Sequence, residues 1–198
     1  MATRTALPAE RKRQILEAAA DVFSRLGYYE ARMDDIADAA GLSKGALYLY
    51  FPGKEALITA LLEGHLDRSL HFMEGLVGRE GSVRERLMSY IRHESEDLES
   101  MRAILPVCYE FYAAALRRAE GATFFKSYFR RYLDLLAEMV QQGIDRGELR
   151  QADPHQTAIL LAGTHEGLTL LWLMDPAAFD WAAQMQSGLQ LVLDALVV

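Results

Sequence analysis

The sequence predicts an all-α protein of about nine helices. Apolar residues recur every three or four positions along the 198-residue chain, and no convincing stretch shows the period of two that marks a strand. Four of the five prolines fall at predicted helix boundaries, and Pro106 should kink or restart a helix. Half of the residues are hydrophobic, so the chain can bury a sizeable core.

The pattern places the helices at about residues 8–26, 33–40, 44–51, 54–77, 82–99, 103–118, 122–146, 154–174 and 178–197. Gly27 supplies a left-handed stop for the first helix. Asp34 and Asp35 suit the positive N-terminal end of the second helix, because carboxylates stabilise the helix dipole there. Gly41 makes the next turn, and Ser43 is a good N-cap for the third helix.

Aspartate-proline pairs predict where the last two helices begin. Asp153-Pro154 and Asp175-Pro176 each combine a capping side chain with a proline at the first helical position. The nine helices should therefore form a three-helix head over residues 1–53 and a larger helical body over residues 54–198.

Charge and composition limit the compartment and the partners. Residues 1–65 carry 8 basic and 9 acidic side chains, whereas residues 66–198 carry 13 and 19, so the acidic excess belongs to the body. An acidic chain can still bind nucleic acid through a local cluster. A single cysteine excludes an internal disulfide, and no signal peptide or membrane span is evident, because His165 and Glu166 interrupt the longest apolar stretch. We expect a cytoplasmic protein with no membrane partner.

Residues 36–47 fit a helix-turn-helix, in which the second helix enters the DNA major groove with its N-terminal residues at the base edges. Small and apolar residues tie the two helices to each other and to the first helix: Ile36, Ala37, Ala40, Leu42 and Leu47. The residues that would reach DNA are Ser43, Lys44, Gly45 and Ala46, with Tyr48 and Lys54 suited to phosphate. Tyr50 and Phe51 fit core packing as well as DNA contact.

The stretch RKRQILEAAADVFSRLGYYEARMDDIADAAGLSKGALYLYFPGKEAL, residues 11–57, resembles the DNA-binding domain of the tetracycline-repressor (TetR) family of bacterial transcription regulators. The segment from Gly143 to Asp180 resembles the start of the two dimer-forming helices of that family. The resemblance implies an all-helical homodimer, a palindromic DNA operator, and a small-molecule effector pocket in the body.

Carried over position by position, the DNA-facing residues of the family fall on Lys44, Gly45, Ala46, Tyr48, Tyr50 and Lys54. Many members have two threonines just before the second helix, where this chain has Ala31 and Arg32. Arg32 can bind phosphate strongly but is a poor N-cap. Ala46 stands where threonine is frequent and Leu49 where a polar residue is frequent, so the operator sequence does not carry over.

Aromatic residues crowd the middle of the body and fit either ordinary core or the lining of an effector pocket. The candidate pocket residues are His65, Tyr90, Glu94, Cys108, Tyr109, Tyr112, Phe125, Tyr128, Phe129 and His165.

The stretch 154–174 is apolar nearly all round, so it should be buried on several sides. Together with the last helix it fits either core or a four-helix dimer interface. The candidate interface residues are Leu161, Gly163, Gly167, Trp172, Met185, Gly188, Leu189 and Val192.

The predicted function is a transcriptional repressor that binds its operator as a homodimer and is released by a small molecule. An enzyme is not expected, because the chain shows no glycine-rich phosphate loop, no nucleophile motif and no paired histidines, and no cofactor or metal is predicted. Two alternatives remain open: a helical ligand carrier or adaptor that does not bind DNA, and a DNA-binding activator.

Overall fold

A computed structural model describes residues 6–102, 104–115, 117 and 119–196. Within these ranges it contains nine α-helices and no strand, which confirms the all-α prediction. The helices are Ala6–Glu30 (α1), Met33–Ala39 (α2), Lys44–Tyr50 (α3), Lys54–Val77 (α4), Val83–Met101 (α5), Leu105–Ala115 (α6), Ala119–Asp145 (α7), Pro154–Met174 (α8) and Trp181–Asp194 (α9).

The chain divides into two compact units. The first comprises Met1–Leu66 and Met101–Arg118, and the second comprises Asp67–Ser100 and Ala119–Val198. Helix α6 therefore belongs to the first unit, where it packs against α1. Helix α4 contributes residues to both units, so it is a covalent element common to them. The predicted division into functional domains at residue 53 remains a prediction.

Local sequence explains most helix ends. Gly27 has φ 73° and ψ 169°, so it interrupts α1 where the left-handed stop is predicted, although helical turns continue to Glu30. Pro106 lies in the first turn of α6, where a proline restarts a helix without losing an intrahelical hydrogen bond. Asp153 caps α8 as predicted, since its carboxylate accepts from the Gln156 backbone N–H at 3.0 Å.

The prediction that Asp175-Pro176 begins the last helix is wrong. Asp175 is the C-cap of α8, its side chain accepts from the Ala177 backbone N–H, and Pro176 lies in the turn that follows. Helix α9 begins instead at Trp181, and Asp180 is its N-cap, with an oxygen 2.7 Å from the Ala183 N–H.

The core of the first unit fixes the three N-terminal helices. Fully buried side chains from one face of α1 and from α2 and α3 form this core together with Leu57 and Ile58 of α4: Ile15, Ala19, Val22, Phe23, Ile36 and Leu47. Gln14 adds a hydrogen bond across the unit, because its side-chain N–H donates to the Ala40 carbonyl at 2.9 Å. This packing leaves the outer face of α3 exposed.

The core of the second unit is formed by the C-terminal half of α4 with α5, α7, α8 and α9. Arg86 of α5 is buried and caps the end of α4, since its Nη1 donates to the carbonyls of Leu76 and Val77 at 3.3 and 3.2 Å. The same nitrogen donates to the Gln142 side chain of α7 at 2.6 Å. These bonds satisfy carbonyls that a helix end otherwise leaves unpaired.

Helix α8 is, by length and composition alone, apolar enough to cross a membrane, which the sequence-based expectation had excluded. The core helix of a globular domain meets the same test. One side of α8 packs against α7 and α9. Two ionisable residues, His165 and Glu166, lie near the middle of the helix.

Candidate functional site

The outer face of α3 is the first candidate site. Ser43 caps the helix, and its hydroxyl accepts from the Ala46 backbone N–H at 3.2 Å, as predicted. Leu47 points into the core, which leaves Lys44, Gly45 and Tyr48 exposed on the other side. A short, capped helix with an exposed polar start can enter a major groove without reorganisation.

Two further side chains of this helix differ in accessibility. Tyr50 is half-buried, and Phe51, which follows it, is buried in the core of the unit. Leu49 is 86% exposed, so an apolar side chain stands on the presented face. Sequence analysis had noted Leu49 only as a departure from the family pattern, and its accessibility makes it a candidate for contact with a thymine methyl.

Lys44 is held by a carboxylate. Its Nζ lies 2.8 Å from Asp34 Oδ1, and this interaction joins the start of α3 to α2. The hydrogen bond that the ammonium donates to Asp34, together with the negative charge of that carboxylate, raises the pKa of Lys44. Both side chains are largely exposed, so water and phosphate can compete for the ammonium.

Arg32 stands before α2 and is exposed. Its own backbone N–H donates to the Asp35 carboxylate at 2.9 Å, so the third residue of the helix supplies the capping interaction. The predicted weakness of arginine as an N-cap is therefore offset by Asp35.

Lys54, the predicted phosphate contact, also makes contacts within its own chain. Its Nζ donates to the carbonyls of Tyr28 and Tyr29 at 2.6 and 3.0 Å and lies 5.0 Å from the centre of the Tyr28 ring. The ammonium thus joins the first turn of α4 to the last turn of α1. This contact gives Lys54 a positioning role within the chain, and its contact with DNA phosphate remains a prediction.

A surface cleft of about 420 Å³ brings four of the predicted DNA-facing residues together. Its lining includes Arg32, Lys44, Tyr48 and Lys54. Tyr29 also lines it and is 71% exposed, although sequence analysis did not single it out. The only signal in the sequence was its position two residues after the Gly27 stop.

The second unit contains a small, partly open cavity of about 30 Å³ between its helices, which holds only one or two water-sized groups. Its lining is almost entirely apolar: Leu87, Tyr90, Ile91, Tyr132, Leu136, Leu161, Thr164, His165, Met185, Gly188, Leu189 and Val192. Of the ten predicted pocket residues only Tyr90 and His165 line it.

The other predicted pocket residues are distributed over both units. Glu94, Phe125, Tyr128 and Phe129 lie in the second unit, and His65, Cys108, Tyr109 and Tyr112 lie in the first. Tyr128 stacks on Tyr132 with ring centres 6.0 Å apart. The Cys108 thiol is buried, and burial raises its pKa to about 12, so it stays protonated and unreactive.

Four of the predicted interface residues are buried. Leu161, Trp172, Met185 and Leu189 belong to the hydrophobic core of their own chain. Gly188 also packs internally, because a β-carbon there would lie 3.6 Å from Thr164, and Val192 lines the cavity. The predicted interface remains a prediction, and its buried members are packed within their own chain.

The opposite side of α8 presents a continuous apolar surface, which we call the α8 stripe. It consists of Ile159, Leu160, Gly163, Gly167, Leu170, Leu171 and Met174, all of them exposed. Gly163 and Gly167, which belong to the original prediction, have open space where a β-carbon would stand. A contiguous exposed apolar surface of this kind marks an interaction site.

Comparisons with known proteins agree with this architecture. The family profile described as "Bacterial regulatory proteins, tetR family" matches residues 15–61, and the profile "BetI-type transcriptional repressor, C-terminal" matches residues 83–197. The chain is 30% identical over 149 residues to the uncharacterized HTH-type transcriptional regulator YfiR of Bacillus subtilis, covering 75% of this chain and 72% of that protein.

Two solved structures share the fold. The fatty acid degradation regulator FadR of Bacillus halodurans superposes with a TM-score of 0.78 at 26% identity, covering 92% of this chain and 94% of that one. FadR of Bacillus subtilis, solved in complex with stearoyl-CoA, gives 0.73 at 24% identity, with 93% and 98% covered. The resemblance inferred from residues 11–57 is confirmed, and the chain belongs to the TetR family of bacterial DNA-binding transcription regulators.

Proposed function

We propose that this protein is a repressor that binds a palindromic operator as a homodimer and releases it when a small molecule binds the second unit. The observation that carries the proposal is the exposed outer face of α3, which presents Lys44, Gly45 and Tyr48 beyond a serine cap. One such helix reads only a few base pairs, whereas two related by a twofold axis read a palindrome.

In the DNA-bound form, Lys44 donates to guanine or phosphate, and the Ala46 and Leu49 side chains meet thymine methyl groups. Tyr48 and Arg32 donate to phosphate. Lys44 must leave Asp34 to do so, which costs little, because the pair is exposed to solvent. The near-neutral charge of residues 1–65 supports DNA binding by the head despite the acidic chain.

The α8 stripe supplies the dimer interface. Its exposed leucines would be buried against a second copy, and Gly163 and Gly167 let the two backbones approach closely. Leu191 of α9, which is 70% exposed, adds apolar surface from the last helix. Two helices from each subunit would form a four-helix interface under twofold symmetry.

The effector acts through the second unit. A relative of this fold was solved with stearoyl-CoA, which supports a ligand-binding role for the corresponding part of this chain. A cavity of about 30 Å³ is far smaller than a drug-sized ligand needs, so the ligand must favour an expanded form of the unit. Helix α4 belongs to both units and is the covalent route for such a change. We place the protein in the cytoplasm and assign it no enzymatic activity.

Substitution on α3 tests the DNA contacts. Lys44→Ala and Tyr48→Ala should each weaken binding to a fragment of the protein's own promoter by about 1–3 kcal/mol, since each removes a specific contact. Fluorescence anisotropy of a labelled fragment measures the affinity. Lys126→Ala removes an exposed lysine from α7 and serves as the control for net charge.

Unchanged affinity in both α3 variants would remove these residues from the interface. A wild-type chain that ignores the promoter fragment at low salt would refute the proposal. Deletion of the gene in its host should raise transcription from the same promoter, and a fall instead would make the protein an activator.

A further inference from the structure

Three ionisable side chains lie together inside the second unit, and we call them the acid–imidazole cluster: Glu94 of α5 with His165 and Glu166 of α8. His165 Nε2 lies 3.8 Å from a Glu94 oxygen, and His165 Nδ1 lies 3.8 Å from a Glu166 oxygen. Both distances exceed that of a hydrogen bond. Glu94 Oε1 and both imidazole nitrogens are buried without a hydrogen-bond partner among the described residues.

The cluster carries excess negative charge. Burial alone would lower the pKa of His165, but the Glu166 and Glu94 carboxylates outweigh it and raise the pKa above its ordinary value. Two carboxyl side chains thus flank a single imidazole, so acidic groups outnumber basic ones in the cluster. Glu94 is only 6% exposed, so water compensates little of its charge. A buried carboxylate without full compensation is costly.

The surroundings of the cluster suit a cation with an apolar body. His165 lines the cavity, whose other walls are mainly aliphatic. The Tyr90 ring centre lies 6.3 Å from the imidazole, and the Trp181 ring lies 5.6 Å away in an edge-on arrangement. Electron-rich ring faces attract organic cations, most strongly where water is excluded.

An anionic head group fits this site poorly. It would add a third negative charge to two carboxylates, and like charges about 4 Å apart repel strongly where water is scarce. Both sides of the imidazole already face carboxylates, so the histidine offers no free positive side to an anion.

From this geometry we propose that the effector is an organic cation with an apolar body, whose charged head is bound by Glu94 and whose body expands the cavity beside His165. The inference rests on the proposed function, because it names the ligand class of the same repressor. Side chains of α5, α7, α8 and α9 line the cavity, so filling it separates helices within the second unit.

Three ligands with one tail and different heads test the proposal: octyltrimethylammonium, octanol and octanoate, each kept below its micelle concentration. Trp181 lies beside the cluster, so intrinsic tryptophan fluorescence of the full chain reports binding. We expect the ammonium to bind at least about tenfold more tightly than octanol, and octanoate to bind least well.

Glu94→Gln should remove most of the preference for the ammonium, because it deletes the buried charge and keeps the side-chain volume. Glu166→Gln is the matched control, since it removes a carboxylate at the same 3.8 Å distance whose side chain is 43% exposed and screened by solvent. We expect its effect to be less than about threefold. Circular dichroism confirms that each variant is folded.

If octanoate bound as tightly as the ammonium, the proposal would be overturned, even if Glu94→Gln did not fold. An unchanged preference for the ammonium in folded Glu94→Gln would also overturn it. Operator binding without any ligand is measured in parallel. A protein that binds its operator but prefers octanoate refutes only the ligand class, whereas one that binds the ammonium but not the operator refutes the repressor.

Discussion

At the scale of single residues, the two lysines predicted to face DNA make different contacts within the chain. Lys44 is exposed and pairs with the Asp34 carboxylate, which it can exchange for phosphate or a base. The Lys54 ammonium is engaged by the Tyr28 and Tyr29 carbonyls at the end of α1. Sequence spacing could not reveal this difference, because the two carbonyls come from residues distant in the chain.

Lys54→Met should therefore destabilise the first unit even without DNA. It removes a charged donor from two helix-end carbonyls, and a hydrogen bond to a charged group contributes about 1.5–3 kcal/mol. Urea unfolding of the DNA-free protein measures the loss. Lys12→Met, at an exposed position of α1, should change stability little. A Lys54→Met variant with normal stability and reduced operator affinity would instead support the predicted DNA contact.

His165 should make stability depend on pH. Its pKa in the folded chain is raised, because the Glu166 and Glu94 carboxylates outweigh the opposing effect of burial. The stabilisation is fully present below the ordinary value of about 6.5 and is lost as the pH rises through the raised value. The neighbouring phenols of Tyr90 and Tyr132 stay neutral there, since burial raises the pKa of both.

The wild-type free energy of unfolding should thus fall as the pH rises above about 6.5, relative to that of His165→Gln, which lacks the titrating group. Urea titrations at a series of pH values give both curves. Parallel curves would mean that the histidine does not change its charge over this range.

At the scale of elements, α8 shows a limit of hydrophobic periodicity, which does not identify the buried side of this helix. Its sequence is apolar nearly all round, so periodicity alone could not separate the side that packs against its own chain from the side left exposed. In the structure Leu161 and Trp172 face the core, while Leu160 and Leu171 face outward, each 56% exposed. Neighbouring positions on one helix thereby have opposite roles.

The start of α9 shows a similar limit. Asp175 and Asp180 are both good N-cap residues, and the proline after Asp175 favoured the wrong one. Tertiary packing selects Asp180, because Trp181 is buried and its indole N–H donates to the Thr169 hydroxyl at 3.1 Å. Placing the indole in the core requires the helix to begin at that residue.

At the scale of the whole molecule, the repressor proposal requires two copies of the chain. Leu160→Lys combined with Leu171→Lys should abolish the dimer, because it places two charges on each copy of the α8 stripe. The variant should remain folded, since both positions are exposed within the chain. Sedimentation velocity measures the oligomeric state, and operator affinity should fall with loss of the dimer.

Leu161→Lys is the matched comparison. It buries an unpaired charge in the core of the second unit and should destabilise the fold by several kcal/mol. A double variant that sediments as a dimer would move the interface away from the α8 stripe.

The amino-acid sequence by itself determined the nine helices, the Ser43-capped helix-turn-helix and the family, because periodicity, caps and turn residues are local signals. Tertiary structure decided which side of α8 is exposed, engaged Lys54 with the end of α1, and brought Glu94 beside His165. The physical reason is that burial and electrostatic pairing depend on neighbours from other helices, and those neighbours are set only when the helices pack.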